Sequence, residues 1–97
     1  TLEKEASLPA KQIEENTIII KSPIIGVFYP SPSHGAPPFV AEGDIVSAGE
    51  TVCIVEAMKV MNEIRTETKC KILKVFVSNT RSIQVDDPLF LVLPIAE

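Results

Sequence analysis

Short apolar segments recur along the chain from residue 17 onwards, and residues that favour turns separate them. The chain holds twelve isoleucines and ten valines against six leucines, and such β-branched side chains favour strands over helices. Eight short strands in about 80 residues are typical of a small sandwich or barrel, so we predict an all-β fold. The predicted strands are Thr17–Lys21, Ile24–Tyr29, Asp44–Val46, Thr51–Glu56, Val60–Ile64, Lys71–Val77, Ile83–Val85 and Leu89–Leu93.

The first 16 residues differ from the rest of the chain. They hold four glutamates and two lysines without a sustained periodicity, which is typical of a linker or tail. We therefore predict a flexible tail over 1–16 and one folded domain over 17–97. Because the chain begins with threonine rather than methionine, we also expect it to be a piece of a longer protein.

A weak internal repeat runs through the predicted domain. The apolar pattern of residues 39–55 recurs 37 residues later, whereas upstream of Phe28 the best offset is 44 residues. The difference of seven residues indicates an insertion between Phe28 and Phe39, in the proline-rich loop 30–38. Two similar halves are therefore expected to pack around a quasi-two-fold axis, with this loop protruding. Chance similarity between two β-rich stretches is the alternative.

The composition restricts the chemistry that the chain could perform. A chain of 97 residues can bury one modest core. Its net charge of −4 argues against nucleic acid or an anionic membrane as a partner, and no apolar run approaches the ~18 residues of a membrane span. His34 is the single histidine, so no Cys-His metal quartet can form and any histidine-based nucleophile scheme must use that residue. We expect no metal, no catalytic residue, and inert reduced thiols at Cys53 and Cys70.

Local rules conflict in the segment 56–63. Its residues are good helix formers, yet it is too short for a stable isolated helix and lies between two β-branched runs, so we predict a hairpin over 52–64. Two-residue hairpin turns usually contain glycine or Asn-Gly because their central residues need positive φ, and Met58-Lys59 offers neither. Such a violation tends to mark a functional or strained site. A solvated lysine on an ordinary turn is the alternative.

The segment Glu56–Asn62, with the sequence EAMKVMN, resembles the biotin-attachment motif of biotinyl carrier domains, which is Ala-Met-Lys-Met or a variant of it. The wider chain is similar to the biotin carboxyl carrier proteins of multisubunit acetyl-CoA carboxylases over residues 17–93. This resemblance implies a flattened barrel of two four-stranded antiparallel sheets, with a protruding loop called the thumb at 30–38. The flanking segments that carry the resemblance are 22–29, 43–44, 53–56 and 87–89.

The resemblance also implies roles for single residues. Lys59 would carry biotin, covalently attached, at the tip of the hairpin, and the biotin protein ligase would recognise Ala57, Met58 and Val60. The thumb would fold against the hairpin and touch the ureido ring of biotin. The candidate thumb residues are Ser31, Ser33, His34, Gly35 and Ala36.

Two positions depart from the family pattern. Val60 stands where methionine is commoner, and we expect the ligase to tolerate it because the side chain remains apolar. Cys70 stands where the family usually has glycine, at the position related to Gly26 by the offset of 44, which puts the local backbone in doubt. No glycine follows Gly49, so we expect turns in the second half to rely on Asn79, Asp86 and Asp87.

The resemblance implies a non-catalytic carrier. Such a carrier would shuttle carboxyl groups on biotinylated Lys59 from biotin carboxylase to carboxyltransferase, making malonyl-CoA for fatty acid synthesis. Its partners would be these two enzymes and biotin protein ligase, and its compartment the bacterial cytoplasm or the plastid stroma. Lipoyl carrier domains usually show Asp-Lys-Ala at the hairpin, so Met58-Lys59-Val60 and the thumb favour biotin. A lipoyl carrier and a plain β interaction module are the alternatives.

Overall fold

A computed structural model describes residues 16–96, in which all of the regular structure consists of eight strands. Each of the eight predicted strands is present, and a hairpin occupies the segment whose composition favours a helix. The predicted tail over 1–16 lies outside the described residues apart from Asn16. The strands are β1 Ile18–Lys21, β2 Gly26–Tyr29, β3 Ile45–Val46, β4 Thr51–Ala57, β5 Val60–Arg65, β6 Cys70–Val75, β7 Arg81–Ile83 and β8 Pro88–Pro94.

The strands form two antiparallel sheets of four strands each, ordered β1-β8-β6-β3 and β5-β4-β2-β7. This arrangement confirms the predicted all-β fold. Both sheets contribute to one apolar core, in which the rings of Phe28 and Phe90 lie with their centroids 6.4 Å apart. Burial of these rings and of the surrounding β-branched side chains stabilises the contact between the sheets.

The internal repeat is present as a quasi-two-fold relation between the two sheets. An offset of 44 residues relates β1 to β5 and β2 to β6, and an offset of 37 relates β3 to β7 and β4 to β8. These offsets convert the pairing of Phe28 with Val55 into the pairing of Ile72 with Val92, and the structure contains both. The strand order and register therefore confirm the quasi-symmetry predicted from the apolar pattern.

Matching turns lie at matching places in the two halves. Gly49 has a φ of +88°, and Asp86, 37 residues later, has a φ of +70°. In both turns, the carboxylate of the next residue accepts a hydrogen bond from a backbone N–H three residues earlier in the chain. Aspartate tolerates left-handed backbone better than most residues, so the second half makes this turn without glycine, as expected. Asn79, also expected in a turn, lies in a bend.

Three strands differ from the predicted bounds by two residues, and one of them is β6, which ends at Val75 rather than at Val77. β2 begins two residues later than expected, because the Ser22 hydroxyl donates a hydrogen bond to the Ile24 carbonyl at 2.7 Å and stabilises a turn there. β7 lies two residues earlier than expected, since residues 84–87 form the second of the matching turns. The errors at β2 and β7 come from β-branched residues that occupy turns rather than strands.

Both cysteines are free and fully buried. Burial raises the pKa of Cys53 to about 12, so this thiol keeps its proton at neutral pH. Cys70 begins β6 as a regular strand residue, with its Sγ 3.5 Å from the Thr66 hydroxyl. Cys70 and Lys71 pair in regular register with Pro94 and Leu93, and the irregularity of β6 lies further along, between Ile72 and Lys74.

The turn between β4 and β5 lies at one end of the domain, and the start of β1 and the end of β8 lie at the other. Thr66 follows β5 at the end far from this turn, and its hydroxyl contacts Cys70, which pairs with Pro94 at the end of β8. β1 runs antiparallel to β8, and its first residue pairs with Val92. Both ends of the described domain are therefore a strand length away from the turn.

Candidate functional site

The two-residue turn Met58-Lys59 joins β4 to β5, and Ala57 pairs with Val60 directly beneath it. The two turn residues have φ values of +53° and +66°. Positive φ at both central residues is typical of a type I′ turn, and it costs a residue other than glycine roughly 1–2 kcal/mol. The structure confirms the predicted hairpin and the predicted departure from ordinary turn chemistry.

The turn presents its side chains to solvent. Met58 is 95% exposed, Lys59 is exposed, and Val60 and Met61 are each more than half exposed. Within residues 16–96, the Lys59 ammonium group has no hydrogen-bond or ion-pair partner. An amine in this position, surrounded by apolar side chains, can enter the active site of another protein without breaking a contact of its own.

β2 packs closely against the hairpin at Gly26. A Cβ atom added to this residue would collide with the carbonyl oxygen of Glu56 and would lie 2.9 Å from Cγ1 of Val55. Glycine is therefore needed here for close approach of two backbones. This contact supports the last part of β4, directly before the turn.

A hydrogen bond joins the base of the thumb to the hairpin. The Tyr29 hydroxyl donates to Oε1 of Glu56 at 2.9 Å. This hydrogen bond and the negative charge of Glu56 raise the pKa of Tyr29, because both favour the neutral phenol. Tyr29 directly precedes the thumb and Glu56 lies three residues before Lys59, so the contact connects the two predicted functional segments.

The part of the hairpin far from the turn is held by a second polar cluster. Glu63 accepts hydrogen bonds from the Thr51 hydroxyl at 3.1 Å and from the Arg65 guanidinium at 2.6 Å. The Arg65 contact is the main cause of the lowered pKa of Glu63, and the Thr51 hydrogen bond adds to it. Because these groups are exposed, the cluster contributes little to stability.

The thumb at 30–38 is a closed loop. The N–H of Phe39 donates to the carbonyl of Pro30 at 2.9 Å and brings the two ends of the loop together. Inside the loop, the N–H of Ala36 donates to the carbonyl of Ser33 at 3.1 Å. The thumb therefore has internal structure and is not an extended connection.

Four of the five candidate thumb residues line a small cavity of about 110 Å³, together with Tyr29 and Thr80. Neither Ala36 nor any residue of the hairpin turn lines it. Tyr29 pairs with Ile54, three residues before the end of β4, and β2 runs away from the turn, so the thumb leaves the sheet roughly 10 Å from the turn. The predicted contact of the thumb with biotin stays a prediction. The four lining residues are Ser31, Ser33, His34 and Gly35.

Residues 16–96 contain no group of three or more histidine, cysteine, aspartate or glutamate side chains arranged to hold a metal ion. The same residues include no helix that is long and apolar enough to cross a membrane.

The family model described as "Biotin-requiring enzyme" matches residues 18–92, which include all of the hairpin and parts of both sheets. The chain belongs to this family. A solved structure titled as a single-chain, multi-domain long-chain acyl-CoA carboxylase matches with a TM-score of 0.73, over 96% of this chain and 8% of that chain. At 16% identity, this second match shows a shared fold.

Relatives of this biotin-requiring family member include three named as biotin carboxyl carrier proteins of acetyl-CoA carboxylase. The chloroplastic protein 2 of Arabidopsis thaliana is 48% identical over 75 residues, which are 77% of this chain and 29% of the relative. The Cyanidium caldarium protein is 52% identical over 69 residues, 71% of this chain and 45% of the relative. The protein of a Nostoc species is 38% identical over 85 residues, 88% of this chain and 47% of the relative. The chain thus spans less than half the length of each.

Sequence reasoning missed two polar contacts in this biotin-requiring domain. One is the Tyr29–Glu56 hydrogen bond, which depends on the register of β2 against β4 and leaves no signal in the sequence. The other involves Asn62, whose side-chain Nδ2 donates to the carbonyls of Val55 at 3.2 Å and Val60 at 3.1 Å. A signal for it exists, because Asn62 is a polar residue opposite a buried valine of the predicted hairpin.

We expect Met58→Gly to raise the free energy of unfolding by about 1 kcal/mol, because glycine adopts positive φ without the cost that methionine has. The exposed Met58 side chain buries little surface, so its removal should cost little. Urea unfolding of the two proteins measures the difference. Met61→Gly is the matched control: it removes a half-exposed methionine from regular strand and should lower the free energy of unfolding. A lower stability of Met58→Gly would contradict the assigned turn strain.

Proposed function

We propose that the chain is the biotin carrier domain of an acetyl-CoA carboxylase and that biotin is attached to Nζ of Lys59 through an amide bond. The observation that carries this proposal is the exposed Lys59, which has no partner within residues 16–96, at the apex of a left-handed turn in a chain of the biotin-requiring family. We infer the enzyme from the relatives, which are named as carrier proteins of acetyl-CoA carboxylase. The residues fit the cofactor, since an amide bond needs an accessible amine and the turn provides one.

The role of this chain is to present the lysine and not to catalyse. Biotin, when bound, supplies the ureido group that accepts and releases a carboxyl group, so the reaction needs no acid or base from the carrier. The exposed apolar side chains of Met58 and Val60 flank Lys59 and offer a surface for biotin protein ligase, with the small Ala57 beneath the turn. The ligase must take the proton from the amine before the amine attacks an activated biotin.

The carrier acts between two enzymes in this proposal. Biotin carboxylase loads the carboxyl group, and carboxyltransferase transfers it to acetyl-CoA to give malonyl-CoA for fatty acid synthesis. Covalent attachment keeps the cofactor at a high effective concentration at both active sites. We place the protein in the bacterial cytoplasm, with the plastid stroma as the alternative, because its relatives include bacterial and chloroplastic proteins. The thumb residues Ser31, Ser33, His34, Gly35 and Ala36 remain candidates for contact with the ureido ring.

Intact-mass measurement tests the proposal. The purified chain is incubated with biotin, ATP and biotin protein ligase, and separately with lipoate, ATP and lipoate ligase. We expect the mass of one biotinyl group to be added in the first reaction, and peptide mapping to place it on Lys59. Addition of a lipoyl group alone would show a lipoyl carrier, and no change in either reaction would favour a plain interaction module; both results would contradict the proposal.

A further inference from the structure

The turn at Met58-Lys59 is strained, and a strained backbone persists only where its surroundings hold it. We propose that Asn62 is the positioning residue of this site: its side-chain amide holds the turn in the conformation in which biotin protein ligase recognises Lys59. The inference rests on the proposed attachment of biotin to Lys59. It assigns to Asn62 a role in modification that goes beyond its place in the motif.

The contacts of Asn62 reach both strands of the hairpin. Its Nδ2 donates to the carbonyl of Val55 on β4 and to the carbonyl of Val60, the first residue after the turn. An amide nitrogen has two protons, so both hydrogen bonds can form at once. The orientation of the amide follows from these partners, because carbonyl oxygens only accept and the side-chain oxygen of Asn62 could not bind either of them.

Asn62 lies on the buried side of the sheet, where a polar group is unusual. It pairs with Val55, which is fully buried, and its own side chain is partly buried. A polar side chain at such a position lowers the stability of the fold unless it makes hydrogen bonds. The two hydrogen bonds to the hairpin backbone satisfy the amide nitrogen, and they do so beside the strained turn.

The quasi-symmetry shows that the fold itself does not need an amide here. The offset of 44 residues relates Asn62 to Ile18, and Ile18 pairs with Val92 as Asn62 pairs with Val55. A half-exposed aliphatic side chain therefore occupies the related place in the other sheet. The difference between the two places is the turn, since β5 follows β4 through Met58-Lys59, whereas β1 and β8 are far apart in the chain. The amide is thus present where the chain turns.

Loss of the amide should lower the fraction of molecules in which the turn has the recognised conformation. A partner that binds only this fraction shows a weaker apparent affinity, whereas the chemical step after binding is unchanged. We therefore expect the KM of the ligase for the chain to rise about tenfold in Asn62→Ile, with kcat close to that of the unchanged chain. Asn62→Asp, which has the same shape but places a carboxylate against two carbonyls, should raise KM further.

The experiment measures the rate of biotin addition to the 97-residue chain by mass spectrometry at several chain concentrations, below the melting temperature of every variant. Ile18→Asn is the matched control, because it exchanges the same side chains at the symmetry-related place, and it should leave KM unchanged. Amide hydrogen exchange at residues 57–60, compared with that in the β1–β8 pair, reports the turn directly. We expect faster exchange at 57–60 in the Asn62 variants alone.

The outcomes separate this inference from the proposed function. If the unchanged chain accepts no biotin, the proposed function fails. If the unchanged chain accepts biotin, and if both Asn62 variants have the same KM and the same hydrogen exchange at 57–60 as the unchanged chain, the positioning role is wrong. The carrier function stands in that case. A fall in melting temperature with unchanged KM also overturns it, since a purely structural residue behaves in this way. If Asn62→Ile does not fold, Asn62→Asp and Asn62→Ser decide by the same two measurements.

Discussion

Replacement of Lys59 by arginine is expected to abolish biotinylation of the chain completely. The arginine guanidinium keeps its charge at any pH at which the protein is folded, so it cannot act as the nucleophile that forms an amide. The fold should be unaffected, because Lys59 is exposed and its ammonium group contacts no other group in residues 16–96. Streptavidin blotting and intact-mass measurement after ligase treatment detect the loss.

The position of the lysine should be as strict as its identity. We expect no biotinylation when the lysine is moved by one residue, in Met58→Lys with Lys59→Met or in Lys59→Val with Val60→Lys. The turn has two residues, and each position in it directs its side chain differently. Lys71→Arg, on the exposed face of β6 in the other sheet, is the control and should be biotinylated normally. Retained signal in Lys59→Arg would remove Lys59 as the attachment site.

Gly26→Ala is expected to lower the free energy of unfolding by about 3 kcal/mol, near the upper end of the usual cost of overpacking. The added Cβ would collide with the carbonyl oxygen of Glu56, which is backbone and cannot move as a flexible side chain can. β2 and β4 would have to separate beside the hairpin. Chemical denaturation with urea, followed by a spectroscopic signal, measures the loss.

The quasi-symmetry of the domain supplies a control for Gly26→Ala. Cys70 occupies the place related to Gly26, and it carries a Cβ there while it keeps its regular pairing with Pro94. Cys70→Ala keeps that Cβ and should cost only about 1 kcal/mol, from the lost packing of a buried sulfur. If Gly26→Ala unfolds at the urea concentration of the unchanged protein, the close approach of β2 and β4 at this residue is wrong.

The fold could be predicted because each strand leaves a local signal in the sequence and because the pattern of strands occurs twice. β-Branched runs mark the strands, and the change of offset from 44 to 37 residues locates the extra residues of the thumb. The predicted strand boundaries were wrong at Ile24 and Val85, two β-branched residues that lie in turns. A hydrogen bond between the backbone and a side-chain hydroxyl or carboxylate overrides a weak strand preference there. Strand propensity alone does not predict such hydrogen bonds.

The candidate site was predictable in part for the same reason. The conflict at Met58-Lys59 is visible in the sequence, and the positive φ values of both residues confirm it. The contact of Tyr29 is not visible, because it depends on which residues the sheet places opposite one another, whereas Asn62 leaves an indirect signal as a polar residue opposite a buried valine. The sequence alone therefore indicates the lysine, and the register of the strands indicates the side chains that support its hairpin.

The placement of Lys59 at one end of the domain and of the strand ends Ile18 and Pro94 at the other has a mechanical consequence. A seven-residue strand such as β8 is roughly 20 Å long, so the domain is a rigid lever of about that length. Rotation by about 60° around the far end carries the tip through roughly 20 Å without any change inside the sheets. A rotation of this size at the far end thereby moves the lysine by about the length of the domain.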